Sequence, residues 1–180
     1  MNVLLIDGHP DLSTSTANAA ILSQFDANTD WRIHHLGGRE LVVADEQAAL
    51  LAADLVIVQF PLYWSTFPHV LKKWIDDVFT YDFAFGPNGS KLKGKKLLFS
   101  VTAGAKASSY SEEGFNLMPF SAYQRAFEHA FVAAEMTLLD TAITFEMNAD
   151  PNEGGDKDAC LALAQQHADN VMSIVASLNH

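Results

Sequence analysis

The sequence predicts a doubly wound α/β fold, with five parallel strands in the order 2-1-3-4-5 and helices on both faces. Three observations predict it. Residues 3–6 and 55–58 are short, unbroken apolar runs and 97–101 is a third, interrupted only by Ser100, the pattern of strands buried on both faces of a parallel sheet. Helix-period segments separate them, so strands and helices alternate through most of the chain. The chain has 180 residues, 49% of them hydrophobic, enough for one full core. No repeat, low-complexity tract or internal linker divides it, so residues 1–180 are expected to form a single domain.

The first strand spans residues 3–6 and is broken by Asp7-Gly8-His9-Pro10. A hydroxyl-rich stretch, Ser13 to Thr16, then opens a helix over residues 17–22. A second strand is expected over residues 31–36 and a short helix over 44–53. The third strand, 55–58, stops at Gln59-Phe60-Pro61, because Pro61 cannot donate to a sheet ladder. Leu62, Tyr63, Trp64 and Ser65 form an aromatic loop. Past Pro68, Val70, Leu71, Trp74, Ile75, Val78 and Phe79 recur at helical spacing, with Lys72, Lys73, Asp76 and Asp77 between them. A basic turn over 91–96 feeds the fourth strand, 97–101. Residues 106–119 read as a long polar loop carrying Tyr110 and Phe115. A helix over 122–134, a fifth strand over 137–145, a turn over 150–156 and a final helix over 158–178 complete the chain.

Composition excludes several classes of function. The net charge of −11 disfavours nucleic acid and anionic membrane surfaces as partners. The one cysteine, Cys160, allows no intrachain disulfide, which fits a reducing compartment. There is no basic N-terminal region before an apolar run and no run of transmembrane length. A cytoplasmic protein is expected.

Chemistry is expected at the loops that follow the strands. In this topology the first, third and fourth strands lie side by side, and ligands sit at their carboxyl ends. The first loop joins a strand to a helix N-terminus, which presents free N–H groups and a positive dipole end to phosphate. No Lys or Arg lies between Met1 and Trp31, so a phosphate there would rest on N–H groups, Ser15, Thr16, Asn18 and His9. A plain N-cap with spare hydroxyls reads equally well. The Walker A lysine, a phosphatase cysteine and the Rossmann glycine pattern are all absent. The loops at 61–65 and 102–105 would wall a planar ring, although Tyr63 and Trp64 also suit simple packing. His34 and His35, adjacent on a strand, point to opposite faces. His69, His129, His167 and His180 have no ligand spacing, so no metal site is expected. The third strand ends in Gln59 rather than an acidic residue, which argues against a phospho-acceptor domain.

The motifs GHP-(x)4-STAN, QFPLYW-(x)3-P-(x)2-LKKWIDDVF-(x)3-FAFG and VTAGA resemble the flavodoxin-like NAD(P)H:quinone oxidoreductases. The nearest likeness is to short bacterial members, including ancillary oxidoreductases of potassium-efflux systems. The resemblance runs from Met1 to Asn116. It implies a flavodoxin-like fold and a homodimer that binds FMN, or alternatively FAD. NADH or NADPH would give a hydride to the flavin, and a quinone or similar electrophile would take it, in ping-pong order. His9, Ser15, Thr16, Ala17 and Asn18 would hold the flavin phosphate. Leu62, Tyr63, Trp64 and Ser65 would line the isoalloxazine. Thr102, Ala103, Gly104 and Ala105 would offer N–H groups to the pyrimidine end. Tyr110 matches a tyrosine at the flavin edge, and Phe83 and Phe85 match aromatics lent by the partner subunit to the substrate pocket.

Three departures stand out. The family's Thr-Thr-Gly-Gly is Thr-Ala-Gly-Ala here, so Ala103 replaces a hydroxyl. Ala105 replaces a glycine, which would weaken flavin binding if that position needs positive φ. Asn116 stands where animal quinone reductases carry an active-site histidine, which makes Tyr110 and Asn116 the expected catalytic pair. Two rival readings remain: a one-electron flavodoxin-type carrier, and a flavin-binding regulatory subunit of a membrane transporter.

Overall fold

The computed structural model describes residues 1–178; His180, among the histidines without ligand spacing, lies outside them. The elements are β1 (Val3–Asp7), α1 (Thr16–Asn28), β2 (Arg32–His35), α2 (Val43–Ala52), β3 (Leu55–Pro61), α3 (His69–Val78), β4 (Lys96–Thr102), α4 (Phe120–Ala133), β5 (Thr137–Leu138), β6 (Ala142–Thr144) and α5 (Lys157–Ser177). The strands run parallel in the order β2-β1-β3-β4-β5, and β6 also pairs with β4. This is the expected doubly wound, flavodoxin-like order.

Strand alternation divides the core into two layers. Val3, Leu5, Leu55, Ile57 and Leu98 face α1 and α5 and pack with Ile21, Phe25, Ala164 and Val171. Leu4, Ile6, Val56, Val58 and Phe99 face α2, α3 and α4 and pack with Leu50, Trp74, Phe127 and Phe131. Successive side chains of a strand point to opposite faces, so a strand covered on both sides takes an apolar residue, or a polar one with a buried partner, at every position. Phe99 packs edge-on against Phe60, Phe127 and Phe131. Truncating such a ring to alanine costs about 3–5 kcal/mol.

The expected fifth strand is two strands. Leu97 pairs with Leu138 and Ser100 with Ala142, so the outer strand carries one residue more than β4 between those pairs. That is a bulge. It occurs where exposed Asp140 turns its charge to solvent and the Thr141 hydroxyl takes a hydrogen bond from Gln124. The third strand runs on through Gln59 and Phe60 and ends at Pro61, its last paired residue.

Candidate functional site

A cavity of about 830 Å³ opens at the carboxyl ends of β1, β3, β4 and β6. It falls within the roughly 300–1,000 Å³ of small-molecule sites. The wall comes from the β1–α1 loop, the start of α1, the end of β3, the β4 loop and the β6–α5 loop.

The start of α1 supplies uncharged donors. Ser15 caps the helix, and its Oγ accepts from the Asn18 N–H (3.1 Å) and the Asn18 Nδ2 (3.2 Å). The N–H groups of Thr16 and Ala17, in the first turn, have no intrahelical acceptor. Both residues line the cavity, as do His9, Ser15 and Asn18. No Lys or Arg is in the wall, whereas Asp150 and Glu153 are.

His9 ties this loop to the next. Its main-chain N–H donates to Asp7 Oδ1 (2.9 Å), and its Nδ1 accepts from the Asp11 N–H (3.1 Å). Burial lowers the His9 pKa against the opposing pull of Asp7 and Asp11, so the ring is neutral and carries its proton on Nε2. That N–H reaches the Tyr63 hydroxyl at 3.2 Å. The Tyr63 proton is therefore left free to donate elsewhere. Burial also raises the Tyr63 pKa, so the phenol stays protonated.

The β4 loop corrects one expectation and removes a concern. The Ala103 N–H donates to the Thr144 carbonyl (2.9 Å), and its side chain is buried off the cavity wall. It therefore has no N–H to give a ligand. Gly104 and Ala105 do line the wall, and neither N–H has an acceptor among the described residues. Ala105 is not among the residues at positive φ, so alanine in place of glycine carries no backbone strain there.

The aromatic loop is narrower in its contribution than expected. Leu62 and Tyr63 line the cavity, while Trp64 and Ser65 do not. Paired hydrogen bonds between Tyr63 and Thr66 close a tight turn and push Trp64 and Ser65 to positive φ, 44° and 74°. Such a conformation is uncommon for a bulky residue. The Trp64 side chain stands 98% exposed at its tip. Phe83 is 4% exposed and part of the core, because its main chain is tied into the 80–91 loop by bonds to Thr80 and Lys91. It cannot be lent to a pocket. Phe85, at 53%, is exposed.

Tyr110 and Asn116 are not brought to the cavity wall. The Tyr110 ring packs against Phe120, Tyr123 and Phe145, and burial raises its pKa. The Asn116 carbonyl accepts from the Tyr123 hydroxyl (2.9 Å), while its Nδ2 is buried without a partner.

Two groups went unread in the sequence. The β6–α5 loop, including Met147, Asn148 and Pro151, walls part of the cavity together with Cys160. Beneath the floor runs a buried polar chain. Gln59 Nε2 donates to Asn18 Oδ1 (2.9 Å), Ser100 Oγ donates to Gln59 Oε1, and His167 Nε2 lies 2.7 Å from Ser100 Oγ. Polar side chains inside buried central strands need partners, so Gln59 and Ser100 were the available signal.

The model of the flavodoxin-like fold family matches residues 1–168. The chain belongs to that family. The match continues past Asn116, where the motifs stop. The chain is 34% identical over 152 residues to an uncharacterised NAD(P)H oxidoreductase of Bacillus subtilis, YdeQ, covering 82% of this chain and 77% of that one. It is 32% identical over 147 residues to KefG of Salmonella paratyphi B, an ancillary protein of a glutathione-regulated potassium-efflux system, covering 79% and 80%. Among solved structures, the general stress protein 14 of Treponema denticola in complex with FMN superposes with a TM-score of 0.82 at 26% identity, covering 96% of this chain and 99% of that one. No helix of the described residues is long and apolar enough to cross a membrane, and they hold no cluster of metal-ligating side chains.

Proposed function

We propose that this chain is a flavin-dependent NAD(P)H oxidoreductase that holds FMN in the cavity at the strand ends and reduces quinones or similar flat electrophiles. One observation carries the reading. An uncharged cradle of N–H and hydroxyl donors lines a cavity of flavin-holding size, in a chain that superposes closely on an FMN complex. The donor set fits the group. Thr16 and Ala17 N–H with the Ser15 hydroxyl suit a phosphate, and Gly104 and Ala105 N–H suit the polar edge of a ring. Leu62 and Tyr63 supply an apolar wall beside it.

When bound, the flavin would supply two-electron chemistry, taking reducing equivalents from a nicotinamide and passing them to an acceptor in turn. The chain's own part is to bind, orient and exclude water. The Tyr63 hydroxyl, oriented by His9, is placed to donate a hydrogen bond at the cavity wall. Asn116 Nδ2, in the 106–119 loop, is a further donor held without a partner. Phe85, Trp64, Phe115 and Leu117 are exposed and support a homodimer that covers the open side, with an interface on the order of 2,000 Å². A cytoplasmic, single-domain protein fits the acidic, cysteine-poor composition.

The test is the absorbance spectrum of the purified protein, mass spectrometry of the released cofactor, and NAD(P)H oxidation with and without a simple quinone. FMN released in about one copy per chain and quinone-dependent turnover are expected. FAD would replace FMN in the proposal, and a flavin-free protein without turnover would end it. Similarity to KefG favours a second reading, an ancillary role at a transporter's cytosolic domain, which a pull-down against such a domain checks.

A further inference from the structure

The buried chain beneath the cavity has a direction. The Ser15 Oγ accepts twice from Asn18, through its N–H and its Nδ2. Asn18 Oδ1 then accepts from Gln59 Nε2 at 2.9 Å and the Thr102 hydroxyl at 3.3 Å. With its amide nitrogen so used, Gln59 turns Oε1 toward Ser100, and a carbonyl can only accept. The single Ser100 proton is spent there. Ser100 Oγ must therefore accept from His167 Nε2 (2.7 Å), and His167 Nδ1 must accept from the Thr144 hydroxyl (2.8 Å). From His167 onward every donor points from α5 toward α1. At the near end, Ser15 has accepted both of its internal bonds and keeps its own proton for the cavity.

We infer that His167 is a positioning residue that sets the polarity of this chain, so that Ser15 presents an O–H rather than lone pairs to an anionic oxygen of a ligand. The inference deepens the flavin reading and rests on it for the identity of that oxygen, a phosphate monoester. Gln59, Ser100 and His167 are each buried to 2% exposure or less. Hydrogen bonds in a row polarise one another in such surroundings, and reversing one obliges its neighbours to reverse. Burial lowers the His167 pKa to about 4, so at neutral pH the ring has one N–H and one bare nitrogen, as the directed chain requires. With the chain reversed, Ser15 would spend its proton on Asn18 and meet an anion with lone pairs.

The experiment has a ligand-free arm and a binding arm. Nitrogen-15 resonances of the His167 ring in the flavin-free protein should report the Nε2–H tautomer; the Nδ1–H tautomer overturns the inference whether or not flavin binds. In the binding arm, FMN and riboflavin are titrated into the parent, His167→Leu and His167→Gln. His167→Leu should weaken FMN about tenfold, the worth of one hydrogen bond, and leave riboflavin, which lacks the phosphate, nearly unchanged. His167→Gln keeps an N–H toward Ser100 and should restore FMN binding to within about threefold. In a Ser15→Ala background the His167→Leu penalty should vanish. A penalty that persists there, or that riboflavin shares, marks a general packing defect and overturns the inference. A parent protein that binds no FMN while showing the Nε2–H tautomer overturns the cofactor reading and upholds the polarity.

Discussion

Two of the buried polar clusters lie in opposite helical layers, and they solve the problem of buried polarity in opposite ways. On the α2–α3 side, Glu46 is fully buried. It accepts from His34 Nδ1 (2.9 Å), Trp74 Nε1 (3.0 Å) and Arg39. On the α1–α5 side, the chain from Thr144 to Ser15 contains no formal charge. The charged cluster pins β2, α2 and α3 to one another. The neutral one lies directly under the cavity and ends on a donor aimed into it. A buried charge needs partners close on every side, which leaves none of its capacity for a ligand. Neutral dipoles in a row can be completed by a ligand at the end of the row.

The largest expected effect breaks the charged cluster. Glu46→Ala leaves His34, Trp74 and Arg39 without their acceptor and should destabilise the fold by about 3–5 kcal/mol in urea unfolding. FMN affinity of the folded fraction should stay within about threefold. A comparable loss of affinity would mean the two layers are coupled rather than separate.

Acid unfolding should separate the clusters by pH. Burial works to raise the Glu46 carboxyl, and the bonds from His34 and Trp74 outweigh it, so its pKa is held below the ordinary 4.5. Its contribution is present above that value and is lost as pH falls through the lower folded-state pKa. His167 acts earlier. Its folded-state pKa of about 4 lies below the ordinary 6.5 because burial penalises the charged ring. Above 6.5 neither state takes the proton. Between 6.5 and 4 only the unfolded chain does, so stability falls through that window, by on the order of 3 kcal/mol. His167→Gln should flatten the stability profile there and leave the more acidic, Glu46-dependent loss in place. A profile that is unchanged by His167→Gln would contradict the assignment.

The smallest effect lies at the 106–119 loop. Asn116 Nδ2 is buried and unpartnered, a state that costs about 1–3 kcal/mol. Asn116→Ala should therefore leave flavin-free stability unchanged or raise it by about 1 kcal/mol. If that donor is reserved for a ligand, the same variant should slow quinone reduction in stopped-flow traces. Lower stability with unchanged rate would make Asn116 a structural residue only.

The central strands were legible because burial on both faces forces apolar runs, as at residues 3–6 of β1, 55–58 of β3 and 97–99 of β4. The split of the outer strand was not, because Leu138, Leu139 and Ala142 keep an apolar rhythm across the bulge. His34 and His35 were read correctly as diverging, and they now meet Glu46 and Asp7 on opposite faces. Ser15, Thr16, Ala17 and Asn18 line the wall, since a helix start after a strand fixes their place. Phe83 and Ala103 were misplaced. Both lie in motifs whose neighbours reach the surface or the cavity, and only the main-chain bonds of each turn decide which residue faces inward. In the sequence Gln59 stands out only for lacking charge, and Ser100 and His167 belong to no motif. Their meaning depends on contacts 41 and 67 residues apart in sequence.

The most direct test of the central claim, an uncharged cradle for FMN, is a fluorescence titration of flavin-free protein with FMN at about 0.05 and 0.5 M salt. With no cation in the wall and a net charge of −11, screening removes repulsion rather than attraction. Saturable one-to-one binding that holds or strengthens at high salt is the predicted result. Absence of saturable binding, or an affinity that falls steeply with salt as it would for a cationic phosphate site, would contradict the account.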